Sequence, residues 1–180
     1  MMLKIEDLQQ LQSEHPDWRM ELVGGEIIVM SPSGYESEEV ATRVSAKLFN
    51  WVDARRLGRV TGSSAGFVLP NSDTRAPDVS FVLAERLRRS PRSFAQLAPD
   101  LMVEVKSPTD SIPRLEAKIF SFLALGTRVG ILVDSEDRTI KIYRFEQEPI
   151  VLHDGDVLTV PDLLPGWQVA VSDLWSPVFE

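Results

Sequence analysis

Three residues have the types and spacing to do chemistry together. Asp78 follows Pro77 in APDVSFV, and Glu104 and Lys106 stand two apart in LMVEVKS. Side chains alternate across a strand, so Leu101, Val103 and Val105 are expected on one face and Met102, Glu104 and Lys106 on the other. An aspartate at the start of one strand and Glu-x-Lys on a neighbour suit metal-assisted cleavage of a phosphodiester. Hard oxygen ligands hold Mg2+ or Mn2+, which keeps several waters, lowers the pKa of one and neutralises phosphoryl charge. Asp78 and Glu104 are the expected metal ligands, with the Val105 carbonyl as a third, and Lys106 is placed to orient water or stabilise developing charge.

The plain alternative is a solvated strand edge carrying a weak surface ion pair. Against it, the residues flanking Glu104 are apolar on both sides, as in a central strand, where a charge is costly unless it is used. Two further residues are candidates for the same site. Lys118 follows Leu115 by three positions, at the edge of the apolar face of the next helix, from which it can reach back toward the site or a phosphate. Glu21, in MELVGGE, can add a carboxylate, whereas Glu26 beyond the turn is expected to face solvent.

Other motifs lack the context they need. GSSAG at 62–66 matches a nucleophile elbow in letters, but a strand-like FVLP follows it where that motif requires a helix. His15 and His153 are the only histidines, sit beside turn residues, and have no spacing suited to zinc or a triad. No phosphate-binding or dinucleotide loop is present.

The elements that must position these residues follow from periodicity. Leu3, Leu8 and Leu11 suggest a first helix closed by Pro16, and strands at 18–22 and 26–30 flank the hairpin turn Gly24-Gly25. Val40, Val44, Leu48 and Trp51 recur at helical spacing, with acids in the first turn and Gly58 read as the stop. Short β runs follow at 59–61, 66–69, 79–83 and 101–105, then a helix at about 113–125 stopped by Gly126. Strands at 130–133 and 140–145 flank the turn SEDR, and further strands are expected at 150–152, 157–160 and 167–171. This is an α/β (α+β) pattern: a mixed central sheet flanked by helices, with extra β-hairpins.

The chain has 180 residues, 43% of them hydrophobic, with 27 acidic and 19 basic residues for a net charge of −8. That length and apolar content suit one domain over 1–180 with a substantial core. With no cysteine, disulfides and thiol chemistry are excluded. No apolar run is long enough to span a bilayer, and the first residues lack a signal peptide's cationic head and apolar middle, so no membrane role and a cytoplasmic location are expected. The acidic total argues against binding nucleic acid by bulk charge attraction, although RLRRSPR at 86–92 is a local basic strip.

The strings APDVSFVL, APDLMVEVKSPTDS and LEAKIFSFLALGTRVGILVDSEDRTIKIYR, with MELVGGEIIVMSPSG before them, resemble the Uma-two group of restriction-endonuclease-like proteins, within the PD-(D/E)xK nuclease superfamily and abundant in cyanobacteria. The likeness covers roughly residues 18–145. It implies a restriction-endonuclease-like core presenting Asp78, Glu104 and Lys106 at one metal site, with Glu21 joining it and Lys118 matching a recurrent lysine. Two positions depart from the pattern: Ser37 stands where members often carry histidine, and Phe122 where they carry tyrosine.

Two functions of different kind follow. The first is a Mg2+- or Mn2+-dependent endonuclease hydrolysing DNA, with RNA a weaker substrate expectation because the chain offers no aromatic-rich RNA platform. The second is a catalytically silent nuclease fold that binds DNA or another protein, which the negative charge favours. A homodimer is expected on either account, since restriction-type sites commonly work in pairs, and Trp167 and Trp175, if exposed, are a candidate seam.

Overall fold

The computed structural model describes residues 2–180. Its frame is a six-stranded mixed sheet in the order β10-β9-β8-β7-β6-β3. The strands are β3 (Gly58–Thr61), β6 (Val79–Leu83), β7 (Leu101–Val105), β8 (Val129–Asp134), β9 (Thr139–Tyr143) and β10 (Ile150–Leu152). All neighbours are antiparallel except β7 and β8, which run parallel. That one parallel pair requires a crossover, and helix α3 (Ile112–Ala124) supplies it.

The two faces of the sheet are covered by different helices. Helix α2 (Tyr35–Ala54) lays Val40, Val44, Leu48 and Val52 on the face carrying Leu101, Val103 and Val105. On the opposite face, Ile119 and Phe122 of α3 meet Met102 and Leu132. The expected alternation along β7 is therefore present, and it turns Glu104 toward α3. Full burial of Ile119 and Phe122 contributes about 1.5 to 3 kcal/mol each to holding α3 in place. The helix can settle this closely because β8 carries Gly130: a Cβ there would stand 2.4 Å from Cγ2 of Ile119.

A second sheet, ordered β2-β1-β5-β4, lies beside the first. It consists of β1 (Arg19–Val23), β2 (Glu26–Met30), β4 (Phe67–Val68) and β5 (Thr74–Arg75). Gly24 and Gly25 have φ of 57° and 79°, and Val23 pairs with Glu26 across them. Two positive φ values in a two-residue loop are the turn that best matches strand twist, and glycine adopts them without strain. Helix α1 (Ile5–Glu14) buries Leu8 against Met20 and Leu22 of this sheet. Glu26 is exposed, as expected.

Two of these expectations change in the fold. Gly58 does not stop α2: the helix ends at Ala54, Arg55 caps it, and Gly58 begins β3. A Cβ at Gly58 would lie 2.0 Å from the Val82 carbonyl oxygen, so the glycine serves close strand approach. Trp167 and Trp175 are not an exposed seam, being 3% and 7% exposed. The hairpin of β11 (Val157–Thr159) and β12 (Gln168–Ala170) folds their rings into the α2 face of the core, and their indole N–H groups donate to the Lys47 carbonyl and to Asp154. The basic strip RLRRSPR lies in the long connection between β6 and β7. Arg86 pairs with buried Asp100 at 2.9 Å, and Arg88, Arg89 and Arg92 are exposed. Among the described residues, no helix is long and apolar enough to cross a membrane.

Candidate active site

Asp78 and Glu104 meet because the β6–β7 ladder stops where it does. The last antiparallel partners are Val79 and Val103, so one step further along the register Asp78 stands opposite Glu104. Two carboxylates directly opposite repel and are destabilising unless something offsets them. Pro77, with no N–H, cannot extend the ladder. The Val105 N–H, left without a strand partner on that side, donates instead to Asp78 Oδ2 at 2.7 Å.

Lys118 is the counter-charge. It projects from α3, 8% exposed, and its Nζ lies 3.1 Å from Glu104 Oε1 and 3.1 Å from Glu21 Oε1. It donates to Glu21 and, at 3.0 Å, to the Ala76 carbonyl. Burial works against a charged lysine, but Glu104 and Glu21 outweigh it and hold the ammonium pKa above its usual value.

Glu21 is fully engaged. Its carboxylate accepts from Arg75 Nε at 3.1 Å, from the Ala76 N–H at 2.9 Å and from Lys118. Burial alone would raise its pKa; Lys118, Arg75 and the Ala76 N–H together bring it below the usual carboxylate value. Glu21 thus anchors Lys118 and Arg75, with its lone pairs already committed.

Glu104 is the opposite case. Its Oε1 is buried without a hydrogen bond, because the Lys118 ammonium approaches outside hydrogen-bond geometry. Burial pushes its pKa up to about 8, and the Asp78 and Glu21 charges add to this while Lys118 opposes it. Asp78 is raised too, first by burial, with the Val105 N–H and Lys118 opposing. Both carboxyls thus hold their protons more tightly than usual because they are buried, and a cation bound there would offset that burial.

The remaining named residues fall around this centre. Val105 lines the same cavity, of about 380 Å3, as Asp78, Glu104, Glu21, Arg75 and Lys118. Asp78 also lines a second cavity of about 370 Å3 along α2, beside Glu38 and Ser63, so Asp78 borders both cavities. Lys106 lies outside both cavities. It stands one residue past the end of β7, and its Nζ pairs at 2.8 Å with Glu136, in the turn after β8. Alternation placed it with Glu104, but the strand ends before it and the nearby acids Asp134, Glu136 and Asp137 draw the ammonium to themselves. Ser37 is buried and donates to the Gly34 carbonyl at 2.8 Å, and Phe122 is core.

Arg75 escaped sequence reasoning. It is three residues before Asp78, but its partner Glu21 is 54 positions away, and no local spacing signals that pairing. Arg19, whose charge acts on Asp78, was missed for the same reason.

Among the described residues, no three His, Asp or Glu side chains form a ready metal cage. The arrangement fits a cation that needs less than that. Mg2+ commonly takes one or two carboxylates and keeps its other positions for water and phosphate. Glu104, with a buried oxygen lacking a hydrogen bond, and Asp78 opposite it match this requirement, and the cavity leaves room for water.

Comparisons with known proteins agree with this architecture. A crystal structure of a putative nuclease belonging to DUF820 from Anabaena variabilis superposes with a TM-score of 0.76. It is 22% identical and covers 86% of this chain and 88% of that one; the two share a fold. No curated protein matches the chain. The family model Uma2, described as "Putative restriction endonuclease", matches residues 5–172. The mixed sheet between two helix layers and this match over nearly the whole chain give one conclusion: the protein belongs to the Uma2 family of restriction-endonuclease-like proteins.

Proposed function

We propose that the protein is a nuclease dependent on Mg2+ or Mn2+ that cuts DNA internally at the phosphodiester bond. The observation that carries this is the buried Asp78–Glu104 pair among the residues that line one cavity, with Lys118 3.1 Å from Glu104. Asp78, Glu104 and the Val105 carbonyl would hold the ion. When bound, it supplies a water of lowered pKa and offsets charge on the phosphoryl group.

The chain's own groups do the rest. Glu21 fixes Lys118 through a charge-assisted hydrogen bond, so its ammonium needs no reorganisation when charge develops nearby. Of its three contacts, the one to Glu104 has the poorest geometry, and it is the one released toward a phosphate oxygen when a cation takes the carboxylate. Lys106, with a side chain 14% exposed against 77% for its partner Glu136, would have to leave that pair and turn into the cavity to orient the attacking water.

A second reading, a silent nuclease fold that binds DNA or protein, is favoured by the Lys106–Glu136 pairing, which keeps that amine out of the cavity. Supercoiled plasmid separates the two. Wild type is expected to nick it with Mg2+ or Mn2+ and not in EDTA, while Asp78→Ala and Glu104→Ala lose both nicking and calorimetric Mn2+ binding. Wild-type protein that neither nicks nor binds Mn2+ sinks the enzymatic reading.

A further inference from the structure

A third cavity, of about 290 Å3, adjoins the acidic site and shares Arg75 and Ala76 with it. Trp18, Arg19, Gly66, Thr74 and Phe94 are among its lining residues. Trp18 is 47% exposed and is stacked on His15 at 3.9 Å with ring planes 9° apart. One ring face is thereby braced while the indole still lines the cavity. Gly66 makes room for Phe94, since a Cβ there would stand 2.5 Å from Phe94 Cδ1.

Two of the lining residues each carry a buried polar atom without a hydrogen bond. Thr74 is 2% exposed and its Oγ1 makes no hydrogen bond. Arg19 gives Nη2 to the Ser63 carbonyl, yet its Nε is buried without a partner. Burying such groups unpaired costs free energy, and they are exceptional in folded proteins. A braced aromatic ring with a second aromatic, a hydroxyl and a guanidinium N–H is what a planar heterocycle with donors and acceptors on its edge requires.

We propose that this cavity receives an unpaired base of the DNA strand, beside the site formed by Asp78, Glu104 and Lys118. The inference rests on the nuclease reading and deepens it to a substrate class. A base stacked and paired inside a duplex does not reach a concave wall, so the substrate is single-stranded, frayed or flapped DNA. Net charge agrees with this: a chain at −8 gains little from general phosphate attraction, and a base pocket supplies binding of another kind.

The test uses the full chain in EDTA with single-stranded DNA carrying 2-aminopurine at successive positions. One position is expected to be quenched by about threefold or more through stacking. Trp18→Ala removes that quenching and Trp18→Phe restores it, with circular dichroism unchanged. Thr74→Val weakens strand binding by about tenfold. Equal quenching in Trp18→Ala, equal quenching of a flush duplex, or tighter binding of the same sequence as RNA overturns the proposal. Plasmid nicking with Mn2+, measured in parallel, separates the two readings. Nicking without position-specific quenching removes the base site and leaves the nuclease; quenching without nicking supports the base site and removes the nuclease.

Discussion

Lys118 and Glu104, on a helix and on the central strand it covers, bring an ammonium and a carboxyl group to 3.1 Å inside the protein. Charge buried this deeply is worth keeping only if it is paired or used, and here the pairing is incomplete: Lys118 serves Glu21 as well, and Glu104 retains an oxygen with no hydrogen bond.

Removing the ammonium is therefore expected to cost the fold more than removing Glu104. Lys118→Met leaves Glu21 and Glu104 buried with less compensation and should destabilise by about 3 to 5 kcal/mol. Glu104→Gln replaces a carboxyl that already favours its neutral form and should shift stability by less than about 1 kcal/mol at pH 7. Urea denaturation of both variants decides this, and a Lys118→Met variant as stable as wild type contradicts the packing described.

The raised pKa of Glu104 fixes the sign of a pH effect. Its folded value of about 8 lies above the ordinary 4.5, so between these values the folded state binds more protons than the unfolded state. Its contribution to stability is complete below about pH 4.5 and is lost as pH rises through 8. Glu104→Gln should flatten this fall. Binding a divalent cation requires the carboxylate, so Mn2+ affinity should rise by up to about tenfold per pH unit from 6 to 8. Calorimetry in buffers of different ionisation enthalpy should register the released proton, and affinity independent of pH would contradict the assignment of Glu104 as a ligand.

The proposed role of Lys106 separates it from its partner Glu136 in a nicking assay. Lys106→Ala is expected to leave the urea midpoint unchanged while reducing nicking by about 100-fold. Glu136→Gln should leave both midpoint and nicking intact, because on the proposed mechanism it only frees the Lys106 amine. A loss of nicking in Glu136→Gln as large as that in Lys106→Ala would mean that the pair itself is the functional unit.

Two glycines test the sheet. Gly58→Ala places a Cβ 2.0 Å from the Val82 carbonyl oxygen, whereas Gly62→Ala meets nothing within 4 Å. The first should lose about 1 to 3 kcal/mol or more through forced separation of β3 from β6. The second should be close to neutral. Thermal melts of both variants check the contrast.

Sequence by itself determined the local elements and one half of the site. Alternation of apolar residues specified β6 and β7 to the residue, and the 3.6-residue period placed α3 to within one residue of each end. From that pattern, the turning of Glu104 away from Leu101, Val103 and Val105 was legible, as was a nearby Asp78 at the head of a strand. The strand-like run after GSSAG is β4, so no helix follows it as a nucleophile elbow requires.

Only tertiary structure decided which charges converge. Glu21 reaches Lys118 across 97 positions and Arg75 across 54, through the meeting of two sheets and a helix that no short-range spacing encodes. The same packing drew Lys106 to Glu136, buried Trp167 and Trp175, and made Gly58 a strand contact instead of a helix stop. Periodicity reports which side of an element a residue faces; what waits on that side depends on long-range closure of the chain and on where each ladder runs out of partners.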